Sequence, residues 1–360
     1  MSSQVPLYLD LMGFLPARWP GAMAGLGRLE TKLLSYDIAD ITIDKPVFIA
    51  GLPRAGSTII AEILNAHHAT CAYQYRDYPF IYTPVFWNNL RRVVPQSTRR
   101  IERAHRDGLA VNLQSPEAID EMLWMHFFPD LHDSSHVSSL DSTTRNPEFE
   151  QFYTDTIRKL LMLRKGSRFF TKNNANVARL SYIKTLFPDA RFIIPIREPV
   201  AQVASLVKQD RLFREIQAGD ARSRRYTRRL GHFEFGDDFT PLNLGNPDTV
   251  AQIMAYREEG NYARAYALYW ALIYTYIADL FAQDLNLAAD SLVLHYDRLC
   301  ADPAASIREL MDFCDLEEDR SVYDWAGRIA PPSYYTPDFD AATRDAIQAM
   351  TRSVHERYAS

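Results

Sequence analysis

The chain has 360 residues, 47% hydrophobic and 24% charged, enough to bury one large core or two modest ones. A formal net charge of −5 excludes a general nucleic-acid binder. Cys71, Cys300 and Cys314 are odd in number and lack metal-ligand spacing, which excludes a disulfide scaffold and predicts buried thiols in a reducing compartment.

Residues 1–44 read as a helical lead-in with no basic flank before a long apolar run. Neither a signal peptide nor a membrane anchor is therefore expected, and a cytoplasmic location follows. Strand-like runs are predicted near 46–50, 168–172, 191–197 and 291–296, and helices near 57–66, 117–128, 150–164, 176–187, 199–210, 260–284 and 303–315. This alternation predicts an α/β fold, a central parallel sheet flanked by helices on both faces, with its binding loops at the carboxyl edge. Residues 45–330 form the expected domain, 67–150 and 211–250 its helical insertions around a pocket, and 331–360 a C-terminal extension. The apolar stretch 265–278 is too short to span a bilayer and holds five aromatic residues, so a helix buried across the sheet is expected.

The chemistry concentrates in the first strand and the loop it enters. Val47, Phe48, Ile49 and Ala50 empty into Gly51-Leu52-Pro53-Arg54-Ala55-Gly56-Ser57-Thr58, and Ile59, Ile60, Ile63 and Leu64 then repeat at helical spacing. A loop of this kind gathers backbone N–H groups at a helix start, where the dipole favours an anion. Its two glycines have P-loop spacing, yet Ser57 stands where a nucleotide-triphosphate site needs lysine, and Arg54 is the only cation in the loop.

Pro53-Arg54-Ala55-Gly56-Ser57-Thr58 resembles the 5′-phosphosulfate loop of sulfotransferases that use 3′-phosphoadenosine 5′-phosphosulfate (PAPS). A second segment, FPDARFIIPIREPVAQVASL at 187–206, resembles the same family's 3′-phosphate site. There a strand ends in an arginine followed by an acidic residue and proline, with a serine eight residues after the arginine. Arg197, Glu198, Pro199 and Ser205 fill that pattern. The arginine offers a planar fork to phosphate and the serine a hydroxyl donor. The resemblance spans roughly residues 45–316 and implies a P-loop-NTPase-like sulfotransferase fold and an enzyme. PAPS would be the co-substrate, held by Arg54, Ala55, Gly56, Ser57, Thr58, Arg197, Ser205 and Tyr296. It also implies that Lys172, at the end of the strand 168–172, reaches the transferring sulfuryl group, and that Tyr296 lies near the adenine.

The resemblance implies in-line transfer to a hydroxyl or amine without a metal, and no clear carboxylate pair for magnesium is present in the sequence. The general base is open. No glutamate follows the first helix where some relatives carry one, and Asn174 stands where others carry histidine. Asp77 is the nearest carboxylate, with an ion pair to Arg76 as its structural alternative, and His105 beside Asp107 is the other candidate. Arginines 211, 214, 222, 224, 225, 228 and 229 form either a solvated helix face or a lid for an anionic partner. Tyr73, Tyr75, Tyr78, Phe80, Tyr82, Phe86 and Trp87 are either core or the wall of an acceptor pocket. The acceptor class (carbohydrate, lipid or small molecule) and the oligomeric state stay open. So do two other functions, a P-loop-type kinase or NTPase and a non-catalytic relative that binds adenosine 3′,5′-bisphosphate.

Overall fold

Side chains alternate across the first strand: Phe48 enters the larger of two apolar clusters, while Val47 and Ile49 enter the other. A strand buried on both faces reads as one continuous apolar run, which is what the sequence presents. The computed structural model describes residues 5–91, 101–102, 110–330 and 338–358. Its main elements run in the order α1 (Leu7–Arg18), α2 (Pro20–Leu33), β1 (Val47–Ile49), α3 (Ser57–Ala66), β2 (Thr70–Cys71), α4 (Pro84–Arg91), α5 (Glu121–Phe127) and α6 (Pro147–Arg164). They continue with β3 (Arg168–Lys172), α7 (Leu180–Leu186), β4 (Arg191–Ile196), α8 (Pro199–Gly219), α9 (Ala221–Leu230), α10 (Pro247–Glu258), α11 (Tyr262–Gln283), β5 (Ser291–His295), α12 (Pro303–Phe313) and α13 (Ala341–Glu356).

The five strands form one parallel sheet in the order β2-β3-β1-β4-β5. Central β1 sets Ile49 opposite Lys172 on one side and Ile193 on the other. The loops after β1, β3 and β4 therefore leave the sheet from neighbouring positions. The expected α/β fold with a parallel sheet is the one observed, and the four anticipated strands agree to within a residue or two. Two-residue β2 carries no periodic signal.

The helix expected to stop near 210 runs on to Gly219. Its inward positions there include the buried polar residues Gln209, Asp210 and Gln217, which break the apolar period. Asp210 is fully buried but accepts from Arg214, Arg257 and Tyr266. Conversely, the helix anticipated over 176–187 is divided into a 3₁₀ turn at Asn174–Arg179 and α7.

Among the described residues α11 alone is long and apolar enough to cross a membrane. It serves instead as a core helix, with Tyr266, Trp270, Ile273 and Tyr274 buried and the Tyr274 hydroxyl donating to the Pro195 carbonyl at 2.8 Å. Helix α13 packs on it, and the Tyr358 hydroxyl donates to the Tyr274 carbonyl. The lead-in helices are pinned by their carboxylates. Asp10 accepts from Arg225 and Arg229 of α9, and buried Glu30 meets Lys159 of α6 at 3.1 Å.

One side chain ties the core to the binding loops. Gln202, on the first turns of α8, is fully buried. Its amide donates to the carbonyls of Leu52 and Pro53 and accepts from the Trp270 indole at 2.9 Å. Replacing it leaves three buried polar groups without partners, at about 1–3 kcal/mol each before relaxation. Gln202→Leu should lower the stability to urea by roughly 2 kcal/mol or more. An unchanged denaturation midpoint would show that this bond does not hold the loop.

Candidate active site

The loop after β1 turns through two residues in left-handed backbone conformation, Arg54 at φ +72° and Gly56 at φ +92°. For arginine this geometry costs roughly 1–2 kcal/mol. Such strain is kept where neighbouring contacts fix it, and it aims a side chain. Here the Arg54 guanidinium donates from Nε to the Ser205 hydroxyl at 3.0 Å. Gly56 is required twice, by its φ and because a β-carbon there would stand 2.6 Å from the Tyr296 ring. It is also the N-cap of α3, so no side chain caps the leading N–H groups of that helix. Ala55 and Ser57 are buried, and Thr58 begins the first turn.

The 197–205 segment arrives at the same place. Pro199 opens α8, and the Glu198 carboxylate caps it by accepting from the backbone N–H groups of Val200 and Ala201. The acidic residue after Arg197 thus builds the helix start that carries Ser205. Arg197 lies 3.5 Å from the Arg54 carbonyl oxygen and 4.9 Å above the Tyr296 ring. Its Nε is buried with no protein partner. An orphaned guanidinium donor and a glycine cradle closed by an aromatic ring suit an anionic nucleotide. The structure therefore gathers Arg54, Ala55, Gly56, Ser57, Thr58, Arg197, Ser205 and Tyr296 into one site.

Lys172 ends β3, one strand from β1. Beside it lies a cluster that the sequence did not single out: Glu117, His232 and Glu234. His232 bridges the two carboxylates at 3.5 and 3.7 Å, and Asn174 donates to Glu234 at 2.7 Å. Burial alone would lower the His232 pKa, but the two carboxylates outweigh it and raise it to about 10. Burial would likewise raise both glutamates. His232, with Lys172, overcomes this, holding Glu234 at about 2 and Glu117 well below the ordinary carboxylate range. His232, Glu234 and Asn174 line a small cleft that also takes in Gly51, Leu52 and Pro53 of the loop after β1. Val177, Phe233, Tyr269 and Ile273 make much of the remainder apolar. Glu121, which also lines the cleft, is tied to Arg179, His132 and Asn173. Adjacent Asp120 is pushed up to about 6 by burial, against the pull of Arg179.

Asp77 does not join this site. It is buried, both its oxygens accept from Arg164, and it caps a 3₁₀ turn through the Gln74 N–H. Its partner is Arg164 and not Arg76, and a carboxylate held this way shapes the fold. His105 lies outside the described residues. The aromatic run is chiefly core, with Tyr73, Tyr78 and Tyr82 buried. Much of the arginine-rich segment is tied up in ion pairs, Arg224 with Asp238, Arg214 with Asp210, and Arg225 and Arg229 with Asp10, while Arg211 and Arg228 stay largely solvated. Among the described residues one grouping is compact enough for a metal, His67, His68 and Asp319. Both ring nitrogens of His67 are already engaged, with the Glu317 carbonyl and the Ala69 N–H.

A family model described as the sulfotransferase family matches residues 46–235. No curated protein matches the chain. Among solved structures, the chain is similar to sulfotransferase STF1 of Mycobacterium tuberculosis H37Rv at 14% identity, covering 93% of this chain and 81% of that one, with a TM-score of 0.47. It is also similar to sulfotransferase STF9 of Mycobacterium avium at 15% identity, covering 91% and 80%, with a TM-score of 0.49.

The raised pKa of His232 has a consequence for stability. A folded-state value of about 10 against an ordinary 6.5 contributes stability that is complete below 6.5 and lost as pH rises through 10. The stability gap between wild type and His232→Gln should therefore shrink steadily over that interval. Urea denaturation at several pH values checks this; a constant or widening gap would mean that His232 is not held as a cation.

Proposed function

The chain belongs to the sulfotransferase family, and from that premise we propose that it transfers the sulfuryl group of PAPS to a hydroxyl or amine of an acceptor bound in the cavity beside Lys172. The observation that carries this reading is the meeting of Arg54, Ser205, Arg197 and Tyr296 around Gly56. Two anion-binding segments side by side suit a nucleotide with phosphate groups on both its 5′ and 3′ sides.

PAPS, when bound, supplies a sulfuryl group on a phosphate leaving group. The leading N–H groups of α3, the Arg54 guanidinium and Lys172 meet the negative charge that grows on the oxygen between phosphorus and sulfur as that bond breaks. Arg197 and Ser205 hold the 3′-phosphate, and Tyr296 braces Arg197 from below. These contacts align the reactants, which is most of what group transfer of this type requires.

The acceptor proton goes to Glu234. This carboxylate lines the cavity, is oriented by Asn174, and sits in the field of Lys172. His232 remains protonated near neutrality, so it orients the carboxylate and does not itself accept the proton. An anionic donor bound against Lys172 offsets that cation and raises Glu234 towards the range where it works as a base. Glu117 shares the charge of His232 from the other side. The carboxylate that some relatives carry after the first helix thus has a counterpart here from a distant segment.

Incubation with sulfur-labelled PAPS and extracts of the native cell should label an acceptor. Arg54→Ala and Lys172→Ala should each lower transfer at least about a hundredfold. Glu234→Gln should lower kcat by roughly 10²–10⁴ while leaving binding of adenosine 3′,5′-bisphosphate intact. Full turnover in Arg54→Ala or Lys172→Ala would overturn the donor assignment, and full turnover in Glu234→Gln would overturn the base.

A further inference from the structure

We propose that the outer face of α1 and α2 is a docking surface for an anionic lipid bilayer. Of the fourteen large apolar side chains exposed among the described residues, ten fall between positions 7 and 36, which makes a patch and not a scatter. On α1 they are Leu7, Tyr8, Leu11, Phe14, Leu15 and Trp19 of the following cap, spaced so that the solvent side of the helix is apolar along its length. On α2 and just beyond it, Leu26, Leu29, Leu33 and Tyr36 repeat at intervals of three or four residues. Leu11 is 62%, Leu33 63% and Tyr36 94% exposed, so these are not rim residues of the core. The inward positions are different residues: Asp10, Gly13 and Pro16 on α1, and Ala24, Gly27 and Glu30 on α2. Each helix thus has one side fixed to the domain and an opposite side that is apolar and bare.

The charges decide what fits that side. From position 7 to 36 the chain carries two acids, Asp10 and Glu30, and both are buried in ion pairs. Its cations, Arg18, Arg28 and Lys32, are all exposed, and Arg28 reaches Glu148 on α6. An apolar stripe of leucine with tyrosine and tryptophan, flanked by Arg18, Arg28 and Lys32 and meeting the chain's first exposed acid only past its end, at Asp37, is the pattern of a helix lying in a lipid interface. A protein partner of ordinary composition has no need of a mainly basic border; an anionic headgroup layer does.

The surface is coupled to the cavity through α9. Helix α1 packs against α9, where Asp10 holds Arg225 and Arg229. Past the end of α9 come Gly231, His232, Phe233 and Glu234, all of which line the cavity. A molecule seated on a bilayer by α1 and α2 would carry this wall near the headgroup layer. The docking proposal rests on the helices alone and holds whatever acceptor is used.

Co-sedimentation tests it with vesicles of phosphatidylcholine alone and of an equimolar mixture with phosphatidylglycerol. The full-length protein should sediment with the mixed vesicles and much less with the neutral ones. Leu11→Asp with Phe14→Asp should weaken that binding at least about tenfold. Arg18→Gln with Lys32→Gln should weaken it by roughly fivefold for each charge removed, and added salt should weaken what remains. All four positions are solvent-facing, so both variants should keep the wild-type melting temperature, and their binding can be compared directly. Wild type that binds neither vesicle, or variants that bind as well as wild type, would overturn the proposal. A wild-type dimer in gel filtration that Leu11→Asp with Phe14→Asp converts to a monomer would also overturn it, and would assign the face to a second copy of the chain.

Discussion

Parallel pairing of β1 with β4, locked at their carboxyl ends by Gln202, is the constraint on which the site depends. The Ala50 N–H donates to the Ile193 carbonyl, so the two strands run together to the edge where both loops begin. Gln202 then holds the first loop to the first turns of the helix that succeeds the second. With that distance fixed, Arg54 can reach Ser205 and Arg197 can lie beside the Arg54 carbonyl. Neither loop alone would bind a doubly substituted nucleotide selectively. In the proposed reading their fixed separation is what would select one.

Charge is sorted around this edge with little waste. Arg54, Arg197 and Lys172, the cations assigned to the donor in the proposed reaction, come from three adjacent strand ends. The opposing carboxylates, Glu117 and Glu234, lie beyond Lys172 and share a protonated His232. One side thus suits an anion and the other suits a proton leaving an acceptor. The seven arginines after α8 begins its second half look from composition like a further anion site, yet several are absorbed by Asp10, Asp210 and Asp238. The pairs with Asp10 and Asp238 hold α1 and α9 onto the domain.

The parts of this arrangement that could be read from the sequence are those written in contiguous residues. The loop 51–58 and the segment 197–205 each carry a strand, a turn and a helix start in one stretch, so local rules of glycine, proline and capping suffice. The same holds for the four long strands. The remainder is made by tertiary proximity. Glu117 sits after a loop, while His232 and Glu234 come just past the Gly231 stop of α9, and nothing in either segment announces that they meet. Asp77 misleads for a related reason, since its true partner, Arg164, is 87 residues away. The length of α8 is hidden because buried polar residues take core positions that a periodic reading assigns to apolar ones.

The central claim is that one nucleotide bridges the two loops, and calorimetric titration tests it with adenosine 3′,5′-bisphosphate and adenosine 5′-phosphate. Wild type should prefer the bisphosphate by at least about tenfold, corresponding to one charge-assisted contact of roughly 1.5–3 kcal/mol. Arg197→Ala should erase that preference while leaving 5′-phosphate binding nearly unchanged. Equal affinity of wild type for both nucleotides, or an Arg197→Ala variant that loses both in the same proportion, would contradict the account.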